Sequence, residues 1–184
     1  MITYSRLGFA NNSSSSHSII FVGDKKIAND YCAGDGFGWD FFTASDRESK
    51  ERYMFQLLIY TAERIFPHES SDLLEWELRE EMQRLCVIKF IETNKSKLTA
   101  FQHLDTFLEE YKKDEFGDYI DHESVIPLPR TRAGNKIDVM FFNDLCTELF
   151  KDGYVILGGN DNTDEEHWAK DLDQGVSDIV RLLT

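Results

Sequence analysis

The chain of 184 residues carries 34 Asp and Glu against 20 Lys and Arg, a formal net charge of −14. That balance disfavours sequence-independent nucleic-acid binding, which depends on cations that neutralise phosphates. With 41% hydrophobic and 13% aromatic residues the composition is too apolar for a disordered chain, and the length suffices for one domain with a substantial core.

The longest apolar runs, such as Val139 to Phe142, are far too short to span a bilayer. Arg6 is followed by no apolar stretch of the kind a signal peptide needs. Cys32, Cys86 and Cys146 are odd in number, widely spaced and free of any CxxC pair, which fits free thiols in a reducing cytosol. The expectation is therefore a soluble, cytoplasmic protein with no membrane contact.

In chain order, residues 2–9 and 17–23 read as two strands flanking the run Asn11-Asn12-Ser13-Ser14-Ser15-Ser16-His17. A glycine-rich loop with Phe37, Trp39 and Asp40 follows. Ser45 with Glu48 forms a capping box for a first helix, in which Met54, Leu57, Leu58, Thr61 and Ile65 recur at helical spacing and Pro67 marks the stop. A second helix is expected near 71–91, with Leu74, Leu78, Met82, Leu85 and Ile88 on one face. A third covers about 99–112 through Phe101, Leu104, Phe107, Leu108 and Tyr111.

The next stretch, "DEFGDYIDHESVIPLPR", breaks the helical pattern and reads as extended. A fourth helix near 136–151 carries Val139, Phe142, Leu145, Cys146 and Leu149, with Gly153 as its stop. "YVILGG" reads as a short strand, the acidic stretch 160–168 as a loop, and 172–183 as a last helix. The whole is an α+β fold in a single domain, an N-terminal β-hairpin and short strands packed with about five helices.

Four stretches carry candidate chemistry. In the first, the hydroxyls and backbone N–H groups of Asn12, Ser13, Ser14, Ser15, Ser16 and Ser18 can converge on an anion, with His17 as cation or proton donor. A phosphate or nucleotide is the natural guest. No glycine or lysine follows the pattern of a P-loop, so a Walker-type reading fails. The plainer reading is a hairpin loop whose hydroxyls satisfy its own backbone.

In the second, Asp121, His122 and Ser124 place a histidine beside a carboxylate and on one strand face with a hydroxyl, as general acid–base chemistry requires. Paired H-x-S motifs would suggest a phosphoesterase, but His17-Ser18 puts histidine and serine on opposite faces. In the third, Asp161, Asp164 and His167 offer hard oxygen donors and an imidazole, suited to magnesium or manganese, without the spacing of an EF-hand. Trp39 could stack on a base and Asp40 could reach a nearby site, although aromatics among glycines more often plug a core. His68 and His103 carry little, and His103 is expected to face solvent.

The elements Asn12-Ser13-Ser14-Ser15-Ser16-His17-Ser18, Phe37-Gly38-Trp39 and Ile120-Asp121-His122-Glu123-Ser124 together resemble a set of small bacterial and bacteriophage proteins that open with a strand and an N-S-S-S-x-H-S loop. The resemblance implies a functional site at the serine loop and names no reaction; for a phage protein it implies the bacterial host cytoplasm.

Two functional expectations follow. The chain is a phosphate- or nucleotide-binding protein, extending to a metal-assisted hydrolase or a phosphoryl- or nucleotidyl-processing enzyme built on the serine loop, His17 and His122. Alternatively, it is a non-enzymatic acidic interaction protein, such as a phage-encoded inhibitor or DNA mimic with a protein partner. A structural protein without a site would follow if His17, His122 and the 158–168 stretch lay on unconnected faces.

Overall fold

The structure is a computed structural model, and it describes residues 4–5, 15–24, 26–34, 36–37, 42–65, 73–120 and 137–160. Along the chain these form strands β1 (Tyr4–Ser5), β2 (Ser15–Phe21), β3 (Gly36–Phe37) and β4 (Phe42–Ala44), then helices α1 (Arg47–Ile65) and α2 (Leu73–Asn94). A short 3-10 turn at Lys95–Lys97 leads to α3 (Leu104–Lys112), β5 (Tyr119–Ile120), α4 (Val139–Leu149) and β6 (Tyr154–Asn160). The fold is α+β. Four α-helices are described rather than about five, because the helix expected near 172–183 lies outside the described residues. No helix among the described residues is long and apolar enough to cross a membrane.

Four strands form a sheet in the order β1-β2-β6-β4, with all neighbours antiparallel. Central β6 is why "YVILGG" has such an unbroken apolar run: Val155, Ile156 and Leu157 are all buried, as expected of a strand flanked on both sides. A second sheet holds only the parallel pair β3 and β5, in which Gly36 pairs with Tyr119 and Phe37 with Ile120. The expected hairpin is present as β1 against β2, but β2 starts at Ser15 rather than His17, so Ser15 and Ser16 belong to the strand rather than to its loop.

Helix α1 crosses the core. Tyr53, Met54, Phe55, Leu57, Leu58, Ile59 and Ala62 are all buried, and the helix packs on α2, α3, α4, β4 and β5. The N-cap is Asp46 rather than Ser45: its side chain accepts the Ser49 amide at 2.8 Å and the Ser49 hydroxyl at 3.0 Å, while the Ser45 amide bonds Asn29 Oδ1 at 2.9 Å. The capping-box pattern is thus displaced by one residue, because Asn29 from a distant loop has taken the Ser45 amide.

The face of α2 also departs from expectation. Met82 and Leu85 are more than half exposed, whereas Val87 and Ile91 enter the core. Arg84 orients this stretch, donating to the carbonyls of Tyr111 (3.0 Å) and Lys112 at the end of α3. Helix α3 starts five residues later than expected. Phe101 is still buried, but the amides of Gln102 and His103 are held by Glu51 instead of starting a helix. Helix α4 buries Val139, Phe142, Cys146 and Leu149 as expected, with Asp138 accepting the Phe141 amide at its start. Gly153, at φ +87°, turns the chain into β6.

Candidate functional site

The register of the four-stranded sheet gathers the candidate segments at one end. Ser15 pairs with Asn160, Ser16 with Gly159 and His17 with Gly158, and on the other side of β6 Gly158 pairs with Phe42. His17, Gly158 and Phe42 therefore form one row across three strands. Neighbouring Cα atoms in an antiparallel pair lie about 4.5–5.5 Å apart, so His17 and Phe42 are separated by about 10 Å of backbone. At this same end the chain leaves β1, enters β2, leaves β6 toward the acidic stretch and enters β4 from Trp39-Asp40-Phe41.

The middle member of the row has no side chain. Gly158 is buried and is paired on both of its edges.

The second sheet joins this end through aromatic packing. Phe37 of β3 is fully buried, with its ring centroid 5.0 Å from Phe42 and 5.0 Å from Tyr53, both edge-on, and 4.3 Å from Tyr31 in a stack. Phe37 is a core plug, as the plainer reading of the glycine-rich loop has it. Its partner Ile120 immediately precedes Asp121-His122. The row from His17 to Phe42 thus continues through Phe37 to Ile120, and the serine, glycine-rich, His122 and acidic segments all start from connected positions.

The side chains of this end are not all described. Ser15, Ser16, His17 and Ser18 are placed by the backbone of β2. Asn12, Ser13, Ser14, Trp39, Asp40, Asp121, His122, Ser124, Asp161, Asp164 and His167 lie outside the described residues, as does His68. Among the described residues no group of three His, Cys, Asp or Glu stands close enough to hold a metal ion.

Sequence reasoning missed a set of buried charges at the start of α1. Lys50, Glu51 and Arg52 are consecutive and all buried. Their signs read as an ordinary solvated helix face, and nothing local says otherwise, because every cross-element partner lies more than fifty residues away. Glu51 accepts the amides of Gln102 (3.1 Å) and His103 (3.0 Å) and pairs with Arg47 and with His103 Nδ1 at 3.0 Å. His103 is therefore not simply solvent-facing: its ring is oriented by a buried carboxylate. Arg47 in turn bonds the carbonyls of Ala100 and Phe150 and lies 4.6 Å above the Phe150 ring.

Lys50 donates to the carbonyls of Lys151 at 2.9 Å and Tyr154 at 3.3 Å, and burial lowers its affinity for a proton while Asp152 supports the charge. Arg52 pairs with Asp118 at 2.8 Å, Glu110 at 3.1 Å and Glu48 at 3.3 Å, with its guanidinium 4.8 Å above the Phe107 ring. Burial pushes the Asp118 carboxyl up to about 7, against the Gly34 amide, which donates to it at 2.9 Å. These three residues fasten the loops that surround the core. Lys50 ties the entry to β6 and Arg52 the entry to β5, so both strands that lead into the candidate end are anchored on α1.

Comparison of the chain with protein-family models, with curated proteins and with solved structures finds no match in any of the three.

Proposed function

We propose that the chain binds a phosphorylated small molecule, a nucleotide in the first instance, at the sheet end where β2, β6 and β4 meet. One observation supports the reading: the row His17–Gly158–Phe42, with Ser15 opposite Asn160, joins β2 and β4 to a strand that lies 141 residues beyond His17 in the chain. The Ser15 hydroxyl, at the alternate position of β2 that shares a sheet face with His17, supplies a donor for phosphate oxygens, and His17 supplies a positive charge when protonated. Because the chain carries −14 overall, the ligand is held by local donors and not by long-range attraction. A divalent ion arriving with the nucleotide offsets part of the repulsion, and Asp161, Asp164 and His167 follow Asn160 closely enough in sequence to meet it. In an enzyme of this class His17 and His122 would handle protons during hydrolysis or phosphoryl transfer.

The test is a thermal-shift screen with inorganic phosphate, nucleoside mono- and triphosphates, and magnesium or manganese. Binding at 100 times Kd adds about 2.7 kcal/mol of apparent stability, a rise of several degrees in Tm. A shift lost in Ser15→Ala and His17→Ala supports the proposal. No shift with any ligand, or shifts unchanged in both variants, would sink it.

A second reading has its own observation. Met82 and Leu85 on α2, and Met140 and Phe141 on α4, are large apolar side chains more than half exposed on an acidic chain. They favour a protein-binding role, the non-enzymatic acidic interaction protein. A stoichiometric protein complex that Leu85→Asp or Phe141→Asp disrupts, with no ligand shift, would select this reading over the first.

A further inference from the structure

The row of the candidate site does not end at Phe42. Asp30 pairs with Thr43 through two backbone hydrogen bonds: its amide donates to the Thr43 carbonyl at 2.9 Å, and its carbonyl accepts the Thr43 amide at 3.0 Å. The bridge is antiparallel, so Tyr31 falls opposite Phe42 and the row reads His17–Gly158–Phe42–Tyr31. Residues opposite one another in a sheet share a face, and Ser15, two positions before His17, shares it too. The aromatic packing agrees with that register. The Tyr31 ring stacks on Phe37, 4.3 Å away, and Phe37 meets Phe42 edge-on at 5.0 Å.

Tyr31 is held firmly. Beside the bridge at Asp30, its carbonyl accepts from Asn29 Nδ2 at 3.2 Å, and Asn29 also bonds the Ser45 amide and the Ser49 hydroxyl at the start of α1. Its hydroxyl, however, is buried from solvent and has no hydrogen-bond partner among the described residues. The stack on Phe37 needs only the ring, and a buried phenol without a partner carries a desolvation cost that phenylalanine would avoid. Native folds seldom leave such a group idle, and a place for a water or a ligand is a common cause of one.

We infer that the Tyr31 hydroxyl is a ligand contact of this sheet end, and that it reads the nucleoside part of the guest rather than its phosphates. The inference rests on the function proposed above. Neighbouring strands lie about 4.8 Å apart, so three steps put Tyr31 about 14 Å of backbone from His17. A guest whose phosphates lie at Ser15 and His17 therefore meets Tyr31 only with its far end. The surroundings point the same way. Beside the Phe37 and Phe42 rings a phosphate would lose its hydration at high cost, whereas a base or ribose edge loses little and gains a hydrogen bond.

The test is calorimetric titration of wild type and Tyr31→Phe with magnesium-bound ATP and with magnesium tripolyphosphate, alongside urea unfolding of both proteins without ligand. Tyr31→Phe is expected to weaken ATP binding about tenfold, the worth of one hydrogen bond, and to leave tripolyphosphate binding unchanged. The urea midpoint should stay or rise, because the free protein loses only an unpartnered hydroxyl. Equal ATP affinity in the two proteins, or a wild type that binds tripolyphosphate and not ATP, overturns the inference while the phosphate site at His17 stands. An equal loss with tripolyphosphate makes Tyr31 a scaffold residue, and a lowered urea midpoint gives its hydroxyl a partner in the free protein; either overturns the inference. A wild type that binds neither ligand overturns the function proposed above, and this inference with it.

Discussion

Glu51→Ala is the most demanding perturbation of the scaffold that carries the candidate end. The wild-type carboxylate is fully buried and serves the amides of Gln102 and His103, the His103 ring and the Arg47 guanidinium at once. Truncation leaves two backbone donors without their acceptor, each worth about 1–3 kcal/mol when buried, and it leaves Arg47 without its carboxylate. Arg47, with its side chain 34% exposed, can turn to water, so the two amides dominate and the expected loss is about 4 kcal/mol. Glu51→Gln keeps one carbonyl acceptor of the same shape and is expected to lose about half as much. The assay is equilibrium urea unfolding at pH 7, followed by both tryptophan fluorescence and circular dichroism to test two-state behaviour. A loss below about 1 kcal/mol for Glu51→Ala would refute the view that this carboxylate fastens the start of α3.

Phe37→Ala removes the ring that joins the two sheets, and it is expected to cost about 3–5 kcal/mol in the same urea experiment. Gly117→Ala places a Cβ at positive φ and against Gly34, so a loss of about 1–2 kcal/mol is expected from the backbone alone. Thiol labelling with a disulfide reagent at pH 8 should modify exposed Cys32 in the native protein, whereas Cys146, whose thiol burial pushes up, should react only on unfolding. Equal labelling rates at the two positions would contradict the packing of α4.

Much of the architecture is written in local patterns. The stripe of α4 shows at 3.6-residue spacing because that helix buries one face, that of α1 is the apolar part of a helix buried nearly all round, and the β-branched apolar run "HSIIFV" marks β2 without any knowledge of its partners. The misread face of α2 shows the limit of that logic: Met82 and Leu85 continue a good apolar stripe, but the tie from Arg84 to the end of α3 and the packing of Val87 and Ile91 set a different rotation. The buried charges were less legible still. Arg47 to Arg52 looks like a solvated face because its partners, Ala100, Gln102, His103, Glu110, Asp118 and Lys151, are distant in sequence. The candidate site lay between these extremes. Residue types singled out the serine run, the glycine-rich loop and the Gly158–Asn160 stretch one by one, but only strand register could join them, since pairing Ser15 with Asn160 is a property of the sheet and not of either segment.

The most direct test of the central claim is a titration of the ¹⁵N-labelled protein with a magnesium-bound nucleoside triphosphate, followed by amide chemical shifts. The account predicts saturable shifts at Ser15, Ser16, His17, Gly158, Asn160 and Phe42, with residues of α2 and the far end of α4 unmoved. Shifts confined to the exposed apolar residues of α2 and α4, or no saturable shift at the sheet end with any phosphorylated ligand, would contradict it.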